Sequence, residues 1–379
     1  MARIVIDGTT LWVEADGERR ALPALWLRER SREPDQLDGY NQQRLYNNAA
    51  LPLDIAVTAV DDQPAALALT FSDGHRARFD RAWLAEEAQM APDHDGLPAR
   101  RAWFGDLKPL PKVAWADCAG AAGQRAACQS FLALGFVVLT GVPNVPGTVL
   151  ELGRRFGYVR DTNFGPVFDV RSEPKAIDLA YTGLALAPHV DNPYRTPQPG
   201  IQLLHCLVND TSGGDSLLVD GLAVAEDLRR SDAEAFRLLT TTPIRFRFYG
   251  AEHEHVSWVP LLQLDLSGRL EAVHISPRMD YVPLLEPAEL ARFYRARQAL
   301  EARLSDKRFH LTFRLGAGET MMFDNRRLLH GRTSFDPKEG QRHLQGCYID
   351  LEGPRSLWRV LNRQPTVAAP INSQSAAAE

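Results

Sequence analysis

Apolar and polar residues alternate in short bursts at the start of the chain. ARIVIDGTTLWVEADGE (residues 2–18) changes side at every other position around a DGT turn and an ADGE turn. LDIAVTAVDDQPAALALTFSDGHRARFD (53–80) repeats the pattern, its apolar stretches parted by DDQP and SDG. A period of two punctuated by Gly and Asp predicts strands that bury one face, and a short helix is expected near Arg81–Glu87. Residues 1–90 read as a small β-rich N-terminal domain. MAPDHDGLPARRAWFGDLKPLPK then carries four prolines and two glycines, which places a linker at 91–111.

The rest of the chain is longer and mixed. GAAGQRAACQSFLALGF and GTVLELGRRFG have helical spacing, with the apolar strand VVLTGVP between them. Short strands follow: AIDLAYT (176–182), GIQLLHCLVN and DSLLVDG, separated by the turn-rich DNPYRTPQPG and DTSGGD. A polar helical stretch, AVAEDLRRSDAEAFRLLTTTP, interrupts before strands return at IRFRFYG, LLQLDLSGRLEAVHIS, FHLTFRLGAGETMMFDN and RHLQGCYID. Many short strands around a helical insert predict a mainly β fold with helices, an antiparallel barrel or jelly roll rather than a βαβ array. GxGxxG and GxxxxGK are both absent, so no Rossmann or P-loop phosphate cradle is expected. The small-residue stretch 365–379 reads as a flexible tail.

Composition narrows the function classes. Of 379 residues, 45% are hydrophobic and 24% charged, the mix of a globular protein with a real core. Lys and Arg number 43 against 48 Asp and Glu; this balance has no basic excess to hold a phosphate backbone, so no nucleic-acid partner is expected. No apolar run approaches the roughly 20 residues of a membrane span, and the first residues lack a signal-peptide layout. The four cysteines, Cys118, Cys128, Cys206 and Cys347, lie far apart without a CxxC pair. Neither a disulfide framework nor a thiolate zinc site follows, and a reducing cytoplasm is the expected location.

Candidate chemistry begins at His189-Val190-Asp191. On a strand, positions i and i+2 share a face, so imidazole and carboxylate can reach one metal. They would supply two members of a 2-His-1-carboxylate facial triad, which leaves sites open on Fe(II) for a chelating cosubstrate and O2. The third candidate is His330 in MMFDNRRLLHGRTSF, and Arg342 opens a strand twelve residues later. On a neighbouring strand its guanidinium would suit bidentate capture of a carboxylate in the same pocket. HxD, a distant His and then this Arg are far more specific together than apart.

HVDNPY, PGIQLLHC, TSGGDSLLVDG, FDNRRLLHGRTSF and RHLQGCYID together resemble the γ-butyrobetaine hydroxylase group of Fe(II)/2-oxoglutarate dioxygenases, relatives of taurine dioxygenase. PALWLRER and DGHRARFDRAWL resemble the group's N-terminal domain, and 112–364 resembles its double-stranded β-helix catalytic domain. The resemblance implies that His189, Asp191 and His330 bind iron, that Arg342 binds the distal carboxylate of 2-oxoglutarate, and that the Ser216 hydroxyl assists it. Homodimers are usual in the group, and a homodimer is expected here. Many members also place cysteines after the WLR segment to bind a structural zinc with a downstream histidine. Here WLRERSREPDQLDGYNQQRLYN has no cysteine, and His75 alone cannot supply four zinc ligands. No structural zinc is expected.

The same resemblance implies a trimethylammonium substrate held in an aromatic cage, with Phe164, Phe168, Tyr181 and Tyr348 at the cage positions. The opposite end departs from the carboxylate-binding pattern. Asp178 stands where an asparagine is usual, Asn192 follows the metal aspartate, and HISPRMD introduces Arg278. Arg278 with Asn192 and Tyr194 suits a head group with three oxygens. This resembles the branch that hydroxylates 2-(trimethylamino)ethylphosphonate next to its anionic head group, which is the first expectation; γ-butyrobetaine hydroxylation to carnitine is the second.

Other features have plainer readings. His253-Glu254-His255 reads as a solvated charged connection and His205 as a core histidine. Cys206 and Cys347 read as small hydrophobes. A hydroxylase of proteins or histones lacks an evident charged docking surface here, and a silent binding protein would not be expected to keep a whole triad plus Arg342.

Overall fold

The computed structural model describes residues 2–91, 95–171 and 183–363. It divides into one unit ending at Gly96 and a second spanning Leu97–Arg363. Asp178, Tyr181 and the expected strand at 176–182 lie outside the described residues, as does 365–379.

In the first unit, two antiparallel three-stranded meanders form from the alternating segments. Arg3–Asp7, Thr10–Ala15 and Glu18–Leu22 make one, and Val57–Asp62, Ala66–Phe71 and Arg76–Asp80 the other. Alternate residues Leu67, Leu69 and Phe71 are buried with Leu11, Val13 and Phe79, which is the pleat of a one-sided sheet. Helix Arg81–Glu87 starts where the Asp80 carboxylate accepts the Trp83 N–H at 2.8 Å, an N-cap. Near the WLR segment the polar groups bond to one another. Ser31 Oγ meets His75 Nε2 at 2.8 Å, while the buried Arg28 reaches Asp73 at 2.8 Å and Gln36 at 3.0 Å. With its ring nitrogen engaged by a hydroxyl and a guanidinium alongside, this donor set does not fit a tetrahedral zinc.

The second unit is a double-stranded β-helix. Its larger sheet runs Phe168–Arg171, Arg342–Ile349, Ile201–Asn209, Thr320–Asp324, Phe136–Thr140, Lys112–Ala114, with Val159–Arg160 also on Arg342–Ile349. Its smaller sheet runs Leu186–His189, Leu328–Arg332, Ser216–Asp220, Leu311–Phe313. Cys347 and Ile349 pack with helix Thr148–Phe156 on the outer face of the larger sheet. Between Asp220 and Leu311 the insert supplies helices Gly221–Ser231, Ala233–Thr241 and Pro287–Leu304 around an apolar cluster that includes Leu239, Phe246 and Phe293. The stretch expected as one polar helix is two, because Asp232 leaves the helical region and caps the second through the Ala235 N–H.

The segment expected as a linker is corrected from Leu97 onward. Trp103 is buried and donates its indole N–H to Leu134 O at 2.7 Å. Its backbone N–H donates to Asp220. One aromatic anchor outweighs the surrounding prolines and charges. Asp220 also meets Arg327 through two hydrogen bonds, at 2.8 and 2.9 Å, with both side chains essentially inaccessible. Two further guanidinium hydrogens go to Ala133 O and Arg101 O, so four of the five donors of the buried Arg327 have partners.

Candidate active site

His189 ends its strand directly opposite His330 on Leu328–Arg332, with ring centroids 4.5 Å apart. His189 Nδ1–H donates to Ala187 O at 2.9 Å, which leaves the Nε2 lone pair free. Asp191 stands beyond the strand end rather than on it, correcting the i, i+2 argument. The chain instead turns through Asn192, at φ +54° in the left-handed region, a conformation asparagine tolerates. Asp191 Oδ1 comes within 3.5 Å of His189 Nε2, and Oδ2 within 3.9 Å of His330 Nε2. One ligand atom from each residue lies within 4.8 Å of the other two. Two imidazoles and a carboxylate in this grouping fit a facial divalent iron site.

A residue not singled out from the sequence fixes this loop. Asn325 accepts the Asp191 N–H at 2.8 Å and donates to Asp191 O at 2.9 Å and Pro199 O at 3.1 Å. Gln198 donates to the carbonyls of Asp191 and Asn325. Because Asn325 precedes His330 by one turn and strand start, it couples the two halves of the metal site. Its signal in the sequence was the DN pair before the histidine.

Burial pushes the Asp191 carboxyl upward, but His330, His189 and the Tyr348 hydroxyl outweigh it and hold the group well below the usual carboxylate range. Burial, then His189, push His330 down to about 4. The site thus keeps an anionic carboxylate and a neutral imidazole, the forms a metal needs. Arg278, on an exposed segment after Ile275, bears on His330 through its charge. Ile275 O accepts the Val190 N–H at 2.9 Å, placing this segment along the metal loop.

Strand Arg342–Ile349 brings further predicted residues to one face, since side chains two apart share a side. Arg342 is buried; its Nε donates to Gly214 O at 3.1 Å and its guanidinium lies 5.5 Å from the Phe335 ring. Ser216 is buried on the smaller sheet, in register with Arg332, whose guanidinium is 5.0 Å from the same ring. Gly346 faces Phe168, and a Cβ there would stand 2.4 Å from the ring. The missing side chain lets Phe168 lie across the strand and stack on Tyr348 at 5.2 Å.

Phe164 and Phe168 come from one sheet edge. Val159–Arg160 pairs with Tyr348 and Ile349, and the pairing resumes at Phe168 on Gly346. Residues 161–167 leave the ladder between these two points. Phe164 is 43% exposed and meets Phe248 edge-on at 6.1 Å, not the Phe168–Tyr348 pair. Tyr194 stacks on Phe248 at 5.1 Å and on His255 at 6.0 Å, and its hydroxyl donates to Asn192 Oδ1 at 2.5 Å. His255 is therefore packed in an aromatic group rather than solvated, while His253 is exposed. His205 is fully buried between Thr320 Oγ1 and Pro143 O, a core histidine. No helix among the described residues is long and apolar enough to cross a membrane.

The family model described as taurine catabolism dioxygenase TauD, TfdA family matches residues 107–348. That described as gamma-butyrobetaine hydroxylase-like, N-terminal, matches 6–85. A gamma-butyrobetaine dioxygenase from Pseudomonas sp. (strain AK-1) is 36% identical over 359 residues, covering 92% of each chain. The gamma-butyrobetaine dioxygenase of Homo sapiens is 30% identical over 93% of this chain and 94% of its own. A mitochondrial trimethyllysine dioxygenase from Gallus gallus is 29% identical over 90% of this chain and 83% of its own.

Proposed function

This chain belongs to the taurine catabolism dioxygenase TauD, TfdA family, and on that premise we propose that it hydroxylates a small trimethylammonium zwitterion, γ-butyrobetaine first. It is an Fe(II)/2-oxoglutarate-dependent dioxygenase. The relatives' names favour γ-butyrobetaine over the phosphonate that the motifs alone put first.

In this reading His189, Asp191 and His330 hold the iron, and Arg342 with Ser216 receives the far carboxylate of 2-oxoglutarate. Iron, 2-oxoglutarate and O2 together supply the oxidising power to hydroxylate a C–H bond, releasing succinate and CO2. The protein's own task is placement, because small displacements of the target carbon cost rate steeply. The observation that carries the substrate reading is Phe168 stacked on Tyr348, whose hydroxyl reaches Asp191. It puts an aromatic face beside the metal ligands, suited to a quaternary ammonium. Phe164 and Tyr181 are assigned to the same cage, and Asp178, Asn192, Tyr194 and Arg278 to the anionic end.

A second reading, 2-(trimethylamino)ethylphosphonate, is supported by Arg278, an added cation on the segment that runs along the metal loop through the Val190 N–H to Ile275 O bond. The test is kcat/KM for γ-butyrobetaine, trimethyllysine and this phosphonate, scored by succinate and hydroxylated product together. Highest turnover of γ-butyrobetaine supports the first reading. Highest turnover of the phosphonate, with Arg278→Ala harming it more than the carboxylate, replaces it with the second. Failure to hydroxylate any of the three removes both.

A further inference from the structure

The edge strand Phe168–Arg171 has two faces. Phe168 and Val170 lie opposite Gly346 and Leu344 on the pocket side. Asp169 and Arg171 lie opposite Gln345 and His343 on the other, which is also the side where Cys347 and Ile349 meet helix Thr148–Phe156. On that outer side Asp169 Oδ1 is 2.6 Å from His343 Nε2 and accepts from Gln345 Nε2 at 2.9 Å. Gln345 Oε1 in turn accepts the N–H of Gly147, the residue capping that helix, at 2.7 Å.

The strand needs such an anchor. Its described part is four residues long, it stands at the end of the sheet among the described residues, and its pairing on the N-terminal side is interrupted at 161–167. An edge strand this short gains little from its ladder alone. Phe168 lays its ring in the space that a Cβ at Gly346 would fill and against Tyr348, a seat that exists only while Phe168 stands opposite Gly346. The ring's position therefore depends on the backbone register beneath it, and Asp169 fixes that register from behind.

We propose that Asp169, bound by His343 and Gln345, is a positioning residue that sets where Phe168 stands over the substrate. The proposal rests on the reading of Phe168 as a substrate-cage residue. Asp169 touches neither substrate nor metal in this scheme and acts through the aromatic ring on the opposite face.

The experiment compares Asp169→Ala, Asp169→Asn, His343→Gln and Phe168→Ala in the full-length iron-loaded enzyme, with γ-butyrobetaine as the probe. Asp169→Ala should raise KM for γ-butyrobetaine by about tenfold and leave KM for 2-oxoglutarate unchanged. It should also raise the ratio of succinate to hydroxylated product, because a misplaced substrate lets 2-oxoglutarate be consumed unproductively. Asp169→Asn keeps an oxygen for Gln345 and should fall between wild type and Ala. His343→Gln retains a donor toward Asp169 and should keep coupling close to wild type. Melting temperatures separate placement from unfolding: the shift in coupling should appear in variants that melt with the wild type. Unchanged KM and coupling in Asp169→Ala, beside a clear loss in Phe168→Ala, overturns the positioning role alone. A parallel rise in both KM values with a lowered melting point reduces Asp169 to a structural residue and likewise overturns it. No effect of Phe168→Ala overturns the cage reading itself, and the positioning role falls with it.

Discussion

Tyr348 donates its phenolic hydrogen to Oδ2 of Asp191 at 2.7 Å. The strand that carries Arg342 at its start thus grips the metal carboxylate near its end. Burial, and then the Asp191 charge, raise the Tyr348 phenol well above its ordinary range, so the hydroxyl remains a donor at every working pH. Replacing Tyr348 with Phe keeps the ring for Phe168 and removes only this bond. Iron affinity should fall about tenfold, the low end for a lost partner of a metal ligand. Iron titration monitored by protein fluorescence measures it; wild-type affinity would assign the hydroxyl no part in metal binding.

Loss of any metal ligand should be complete in effect. His189→Ala, Asp191→Ala or His330→Ala should abolish succinate formation and iron retention with the fold kept, since two protein ligands no longer define the open face. Metal analysis after gel filtration, together with circular dichroism, checks both halves of the statement. Near wild-type turnover in any of the three would remove that residue from the iron site.

Arg342→Ala should raise the 2-oxoglutarate KM at least a hundredfold. A buried carboxylate would lose its charged partner, a loss on the order of 3–5 kcal/mol in a dry site. Succinate release as a function of 2-oxoglutarate gives the value. An unchanged KM would transfer the role to Arg332, which faces the same phenylalanine.

The Asp220–Arg327 pair is a stability element distinct from the chemistry. Asp220→Ala should destabilise the second unit by about 3–5 kcal/mol, because it strands a buried guanidinium. It also removes the cap on the Leu222 N–H. Replacing both residues, Asp220→Leu with Arg327→Met, should recover part of that loss. Urea unfolding of the wild type, Asp220→Leu, Arg327→Met and the double variant decides; additive losses would mean that the pair is not coupled.

Acid sensitivity should trace in part to His274. Burial, with the charge of Arg326, pushes this histidine down to about 3. The unfolded chain takes up the proton near the ordinary value of about 6.5. Between those values the unfolded state binds more protons, so the contribution is full above about pH 6.5 and declines as pH falls toward 3. At pH 5 the loss from this group is about 2 kcal/mol. His274→Asn should show a smaller drop in stability between pH 7 and pH 5 than wild type. Equal drops would place the acid sensitivity elsewhere.

The clustering of His189, Asp191 and His330 was legible because these residues sit in local motifs whose order survives without knowledge of the fold. The route by which Asp191 reaches the metal was not. HVD has the period of a strand, and the turn there depends on partners distant in sequence, chiefly the clamp by Asn325, 134 residues away. Helix Pro287–Leu304 buries Phe293, Ala296, Leu300 and Leu304, a helical spacing that was present in the sequence but passed over. Phe248 and His255 carried no such signal. Their meeting depends on the pairing of Ile244–Tyr249 with Glu254–Val259 and on contact with Tyr194 from a distant loop. Trp103 was hidden by its company of prolines and charges, since burial of one side chain leaves no trace in local composition.

The departure of residues 161–167 from the edge of the larger sheet has a consequence for how such an enzyme changes its diet. His189, Asp191, His330 and Arg342 all belong to strands or turns outside that excursion. Insertions or deletions between Arg160 and Phe168 would move Phe164 without shifting the register of a single metal-bearing strand. Surface excursions tolerate changes of length at small entropic cost. On the reading of Phe164 as a cage residue, selection can therefore alter the size of the accepted molecule at this seam while His189, Asp191, His330 and Arg342 keep their places.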